Sequence, residues 1–347
     1  MRAILQDGPG EPEKLYLGDA PEPSCGPGEV RIAVHTTAVN RADVLQRSGL
    51  YAPPPGTTSI LGLEAAGVVV ELGADAASWL RVGQRVMALL PGGGYAEQVV
   101  VLSTQVMPIP DELSDEEAAA LPEVFLTAYL NLFCLCGLRL PESTPERGLR
   151  SEPLLGTVVP RPQSVLIHGG ASGVGTAALQ LCRAAGVTSY CTVGAEERVA
   201  SCRELGAAAA WNYRTTDFVA AVQAATAQQG IDIILDCIGG SYLERNLRAL
   251  ALDGRLVCIG LMGGARAELD LGLLLARRIQ VIGSTLRPLP PARKAALVRE
   301  FSREVLPLFA VRRLRPVVDR VLPLAAAAQA HRALDEHHVG KIVLRVR

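Results

Sequence analysis

"SVLIHGGASGVGTAALQL" (residues 164–181) runs from a continuous apolar stretch through a glycine-rich turn into an alanine-rich helix. A strand, a tight turn and a helix in that order are the setting that a dinucleotide-binding loop requires. Gly170 allows the sharp turn, and Gly175 lets the helix lie close against the strand. The backbone N–H groups of Gly173, Val174 and Gly175 then point out of a helix N-terminus toward a pyrophosphate. Ser172 stands where the strict Gly-x-Gly-x-x-Gly pattern has its central glycine, and its hydroxyl can itself donate to phosphate. The plain alternative is a glycine-rich turn with no ligand, and the flanking segments weigh against it.

Downstream, strands and helices alternate. "SYCTVG", "AAAAWN", "IDIILDCIGG", "RLVCIG" and "IQVIGSTL" are apolar runs separated by helical stretches such as "EERVASCRELGA" and "DFVAAVQAATAQQG". Apolar strands joined by helices specify a parallel sheet covered on both faces. With the opening strand they number six, as in a doubly wound α/β Rossmann domain. Upstream of about residue 115 the rhythm differs. "RIAVHTTAV" (31–39), "GLEAAGVVVEL", "QRVMAL" and "AEQVVV" are strand-like and punctuated by Gly and Pro, which predicts a smaller, mostly antiparallel β domain. A helix is expected over 114–135, with acidic residues at its front. Near the end, a long helix at about 291–309 precedes the strands "PVVDRVL" and "KIVLRV", which are expected to return to the first domain. The expected division is therefore 1–125 completed by 290–347, and 126–289. Within the second part, "GLRLPESTPERGLRSEPLLGTVVPRPQ" (137–163) carries five prolines and no period. It is read as a loop insertion around 139–162.

Composition narrows the function classes. The 347 residues are 49% apolar and 20% charged, as in compact globular domains. A net charge of −1 and only 4% aromatic residues argue against a stacking groove for nucleic acid. There is no apolar run of about eighteen residues, so no membrane helix is expected, and "MRAILQDGPG" has no secretory signal pattern. The eight cysteines are scattered, and Cys134-Leu-Cys136 is neither a redox pair nor a zinc knuckle. That usage fits a reducing compartment, and a cytoplasmic protein is expected. One residue stands out: in "ILGLEAAGVVVEL" (60–72), Glu64 lies inside an apolar run, and a carboxylate is rarely buried unless paired or coordinated.

Together these segments resemble the medium-chain dehydrogenase/reductase superfamily. Within it the chain looks most like the zinc-free quinone oxidoreductase (zeta-crystallin) branch, close to the tumour-suppressor-inducible quinone oxidoreductases. The resemblance rests on "NRADVLQRSGLYAPPPG" (40–56), "ILGLEAAG" (60–67), "ALLPGGGYAEQVVV" (88–101), "HGGASGVGTAALQL" (168–181), "ILDCIGGSY" (234–242) and "LALDGR" (250–255). It covers nearly the whole chain except 137–163. It implies a GroES-like catalytic domain for the first part and a Rossmann dinucleotide domain for the second. Zinc-dependent members carry Gly-His-Glu where this chain has Gly62-Leu63-Glu64, and a cysteine where it has Asn40. Leucine cannot ligate zinc, and no cysteine lies between Cys25 and Cys134 to build a structural zinc lobe. No metal site is expected, and Glu64 should pair with a basic or backbone group.

The activity implied is hydride transfer from NADPH to a quinone. The alternatives are an NADPH-dependent alkenal or enoyl reductase, and a weakly catalytic NADPH-binding or RNA-binding protein. Family positions for catalysis fall on Asn40, Asp43 and Tyr51. Asn40 and Asp43 have an equal local reading as N-cap and N3 of a helix in "RADVLQR", and Tyr51 either donates to a substrate oxygen or packs on the prolines after it. Cofactor positions fall on Thr127, Gly170, Ser172, Gly173, Val174, Gly175, Gly194, Arg198, Tyr213, Ile238, Gly260, Met262 and Lys341. Gly194 ends the second strand where an NAD site places an acid, so Arg198 and Tyr213 are expected at a 2′-phosphate, with Glu196 and Glu197 opposing. The plain alternative for Arg198 is an exposed helix charge, and Lys341 reads equally as a surface strand end. The last strand of an open sheet needs its edge covered, so a homodimer through 279–286 is expected.

Overall fold

Six parallel strands form the sheet of the unit Thr127–Leu286. In spatial order they are Ala207–Asn212, Thr188–Val193, Ser164–His168, Ile231–Asp236, Leu250–Cys258 and Gln280–Gly283. The order reverses between Ser164–His168 and Ile231–Asp236, which is where doubly wound sheets bind ligands, at the carboxyl ends of the strands. The strands read as apolar runs because both faces are covered: Leu166, Ile234, Leu247, Leu250 and Leu256 are fully buried in one cluster. The helix Gly173–Ala185 begins at Ser172, whose Oγ accepts from the Gly175 N–H. It ends at Gly186, whose φ of 69° is the left-handed cap that glycine adopts without penalty.

The structure, a computed structural model, describes residues 1–141 and 164–347. The insertion expected around 139–162 lies outside the described residues from 142 onward. The unit formed by Met1–Leu126 and Arg287–Arg347 is built on a seven-stranded sheet. Glu29–Ala38 pairs antiparallel with Glu64–Leu72, Gln98–Leu102 and Lys341–Arg345. Lys341–Arg345 also pairs in parallel with Val318–Pro323, so both strands lie in the same sheet as Glu29–Ala38. Alternating residues fill its core, with Val30, Ile32, Val34, Val69 and Val86 fully buried.

Three boundaries differ from the sequence reading. The first unit resumes at Arg287 rather than at 290, because the Arg287 Nε donates to the Pro91 carbonyl at 2.8 Å. The helix expected over 114–135 is broken into Asp115–Ala119, Pro122–Tyr129 and a wide-turned Leu130–Leu135, since Pro122 has no N–H to continue the first piece. The one expected near 291–309 is Pro291–Glu304 followed by Leu306–Ala310, with Pro307 at the break for the same reason. Among the described residues no helix is long and apolar enough to cross a membrane.

Candidate active site

Glu64 begins its strand fully buried, and its partners answer what it is for. Oε1 accepts from the Lys341 ammonium at 2.8 Å and from Asn40 Nδ2 at 2.9 Å, while Oε2 accepts from the Glu123 backbone N–H at 2.8 Å. Lys341, itself 3% exposed, donates also to Asn40 Oδ1 at 2.5 Å and to the Val39 carbonyl at 2.8 Å. An ammonium has three donors, and all three are taken. The position where metal-dependent relatives of such a chain would need donors is thus an ion pair bridged by an amide. Leu63 beside it is 1% exposed and belongs to the core. The residues present do not fit zinc, and among the described residues no group of three or more His, Cys, Asp or Glu stands together to hold a metal.

This geometry bears on three of the expected site residues. Lys341 has its three donors engaged inside the domain, on Glu64, Asn40 and Val39. Asn40 is equally consumed, with Nδ2 on Glu64 and on the Ala38 carbonyl and Oδ1 on Lys341. Asp43 is fully buried and accepts from the N–H groups of Asn40 at 2.8 Å and Gly62 at 3.0 Å. That is one arm of the capping box; the Asp43 N–H goes to the Asn40 backbone carbonyl instead. The local reading of Asn40 and Asp43 is therefore the one their contacts support. Burial raises the Asp43 carboxyl to about 6, against the lowering effect of its two N–H donors.

Behind Asp43 lies a chain of groups that sequence reasoning missed. Arg47 Nη1 is 3.2 Å from His331 Nδ1, His331 Nε2 is 3.1 Å from the Tyr95 hydroxyl, and Tyr95 reaches Asp43 Oδ2 at 3.4 Å. Burial, then the Arg47 charge, pushes His331 down to about 3, so its ring is neutral. With Arg47 donating to Nδ1, the proton sits on Nε2 and is donated to Tyr95, which in turn donates to Asp43. No local pattern joins these residues in the sequence; only the fold does.

A second group surrounds Tyr51. The Arg287 guanidinium lies over its ring, 5.4 Å from the centroid. Glu123 and Arg287 are the charges that act on the Tyr51 hydroxyl, which burial raises. Tyr51 thus meets a cation rather than only the prolines that follow it. The Glu123 carboxyl is pushed up to about 8 by burial and then by the Glu64 carboxylate. Lys294, on the helix Pro291–Glu304, is lowered by burial.

In the other unit the glycine-rich loop has the form a dinucleotide requires. A Cβ on Gly175 would stand 2.2 Å from the Gly169 carbonyl oxygen, and one on Gly170 2.5 Å from Cys191 Sγ, so only glycine fits at either place. The remaining first-turn N–H groups of the helix have no intrahelical acceptor. Gly194 and Tyr213 come together, a Cβ on the glycine falling 3.0 Å from the tyrosine hydroxyl, and Arg198 lies on the helix Glu197–Glu204 just beyond. The turns after the next two strands also meet: the Met262 N–H goes to the Cys237 carbonyl and that of Gly263 to Ile238. Ile238, Gly260 and Met262 therefore share one rim, with Met262 64% exposed. Thr127 offers its backbone carbonyl to Asn131 Nδ2 at 2.7 Å.

Comparison with known proteins agrees with both halves. The alcohol dehydrogenase GroES-like domain family matches residues 26–111, and the zinc-binding dehydrogenase family matches 173–303. The human synaptic vesicle membrane protein VAT-1 homolog is 32% identical over 99% of this chain and 86% of its own length. Human quinone oxidoreductase is 29% identical over 99% of this chain and 97% of its own. The crystal structure of Escherichia coli quinone oxidoreductase complexed with NADPH superposes with a TM-score of 0.83 at 26% identity, covering both chains fully. With the two-unit division, the parallel sheet and its glycine loop already in place, the chain belongs to the medium-chain dehydrogenase/reductase superfamily, beside the quinone oxidoreductases and the VAT-1 homologues.

Proposed function

We propose that the protein is an NADPH-dependent oxidoreductase that reduces quinones. The observation that carries this reading is a dinucleotide loop joined, in one chain, to a buried carboxylate whose partner is Lys341 rather than a metal. NADPH, when bound, supplies a hydride; an acceptor reduced without a Lewis acid must already be polarised, as a quinone or enone is by conjugation. The loop 169–175 would hold the pyrophosphate through backbone N–H groups. Gly194 leaves space at the ribose, with Arg198 and Tyr213 beside it for a 2′-phosphate. The Glu64–Lys341–Asn40 bridge keeps the polar interior of the catalytic domain fixed, while Tyr51 and the charged groups around it supply donors to an acceptor. Steady-state turnover with NADPH and NADH against ortho-quinones, para-quinones and enals tests the assignment. Quinone reduction driven by NADPH is expected; turnover confined to simple alcohols with NAD would overturn it. Reduction of enals alone would favour the enoyl reductase reading.

Cofactor preference gives a residue-level test. A partly exposed charge contact to the 2′-phosphate is worth about 1 kcal/mol, roughly fivefold in Kd. Arg198→Ala should therefore weaken NADPH by about that factor and leave NADH nearly unchanged in a fluorescence titration. Equal losses for both would make Arg198 structural.

Assembly is the remaining part of the proposal. Gln280–Gly283 is the end strand of its sheet, Val281 on it is 43% exposed, and Leu271 and Leu275 on the preceding helix are 61% and 73% exposed. An edge with no further strand paired to it among the described residues, beside apolar side chains, is suited to isologous pairing with a second copy. Light scattering at micromolar concentration should give the mass of a dimer, and a monomer mass would refute it.

A further inference from the structure

Arg287 is 5% exposed, yet among the described residues no carboxylate is hydrogen-bonded to it. Nε donates to the Pro91 carbonyl at 2.8 Å, but Nη1 and Nη2 are buried with no hydrogen-bond acceptor among the described residues. A guanidinium stays charged in proteins, and a buried charge is costly unless paired. The acidic groups that act on it are Asp43 and Glu123, and neither accepts a hydrogen bond from it. Both oxygens of Asp43 are engaged with Asn40, Gly62 and Tyr95. Glu123 is held in its acid form at neutral pH by its raised pKa of about 8. Lys294, 6% exposed, adds a second cation that acts on the same Glu123. Two cationic side chains are thus gathered where the Asp43 carboxylate has its oxygens committed to other donors and the Arg287 Nη1 and Nη2 keep no acceptor among the described residues.

We propose that Arg287, with Lys294 beside it and Tyr51 as its cover, is a recognition site for a carboxylate carried by the acceptor. The two unpaired nitrogens present parallel N–H donors, the geometry that a planar carboxylate accepts as a bidentate pair. Tyr51 closes one face of the fork and is carried by the segment between Gly49 and Gly56, whose φ values are +76° and +78°. Leu50 in that segment is 76% exposed, and occupation of the site requires Tyr51 to move off the guanidinium. The inference deepens the reductase reading and rests on it for the word acceptor. It adds that acceptors bearing a carboxylate are preferred over neutral ones.

Calorimetric titration of the whole protein with benzoate and with its neutral analogue benzamide tests the site without any turnover. Benzoate is expected to bind, with benzamide at least tenfold weaker. Arg287→Met should weaken benzoate at least tenfold while leaving the Kd for NADPH unchanged, which also certifies folding; Arg287→Lys should recover part of the loss. No benzoate binding by the parent protein, equal binding by Arg287→Met, or equal binding of benzamide would each overturn the proposal. If the protein reduces neither quinones nor enals yet separates benzoate from benzamide through Arg287, the reductase reading fails and the carboxylate site stands.

Discussion

Lys341→Met is expected to lower the unfolding free energy of the domain that contains it by about 3–5 kcal/mol, the range found when one partner of a buried ion pair is removed. The size follows from what is left behind. Glu64 is fully buried and would keep Asn40 and one backbone N–H as donors, but no charge. Asn40 Oδ1 and the Val39 carbonyl would lose their donor as well. For a unit of this size each kcal/mol moves Tm by about 2–4 °C, so a fall of roughly 6–20 °C in a melting scan is the expected readout. The double variant Lys341→Met with Glu64→Gln should recover part of the loss, because the amide needs no counter-charge. If the single variant melted with the parent protein, the pair would not be the organising contact of the interior. A full loss in the double variant would show that packing of the lysine stem, rather than its charge, had been removed.

The same cluster shows what a sequence carries and what it hides. The parallel sheet is legible because each element announces itself over a few residues: an apolar run, a helical period, Gly186 at a helix end. The glycine loop is legible for the same reason, since strand, turn and helix follow one another directly. Glu64 was legible as a question, a carboxylate in an apolar run, but its answer lies 301 positions from Asn40, in Lys341. Nothing in "VGKIVL" separates a lysine turned into the domain from one at a cofactor or at a strand end. The resemblance placed Lys341 at the cofactor, while the antiparallel pairing of Lys341–Arg345 with Thr36–Ala38 carries it to Glu64. Asn40 and Asp43 were read two ways, and the local one is supported because their hydrogen-bonding capacity is spent within the domain.

Arg47, Tyr95 and His331 were missed for a related reason. Each is ordinary in its own segment, and their chain to Asp43 exists only after distant segments meet in the first unit. Arg287 had a signal of a different kind, an arginine between an apolar strand and a proline-rich turn, but its meaning depends on acceptors that are missing in space.

In the dinucleotide loop the decisive property is an absent side chain, which a sequence does display. Gly175→Ala is expected to weaken NADPH at least about 100-fold, or about 2.7 kcal/mol. The added Cβ would stand 2.2 Å from the Gly169 carbonyl oxygen and 2.6 Å from that of Gly170. Both are backbone atoms, so the turn itself must open and its N–H groups lose their common aim at the pyrophosphate. The unit should also lose about 1–3 kcal/mol of stability, the usual cost of forcing an atom into a filled space. Gly194→Ala is the contrasting case: its Cβ meets only the Tyr213 side chain, the hydroxyl at 3.0 Å and two ring carbons at 3.3 and 3.4 Å, and that side chain is 39% exposed. Tyr213 can turn away, and a change of only a few-fold in NADPH affinity is expected. Titration of both variants by quenching of protein fluorescence, with circular dichroism to certify folding, separates the two effects. A Gly175→Ala protein that binds NADPH as tightly as Gly194→Ala would mean that the pyrophosphate does not sit on this turn.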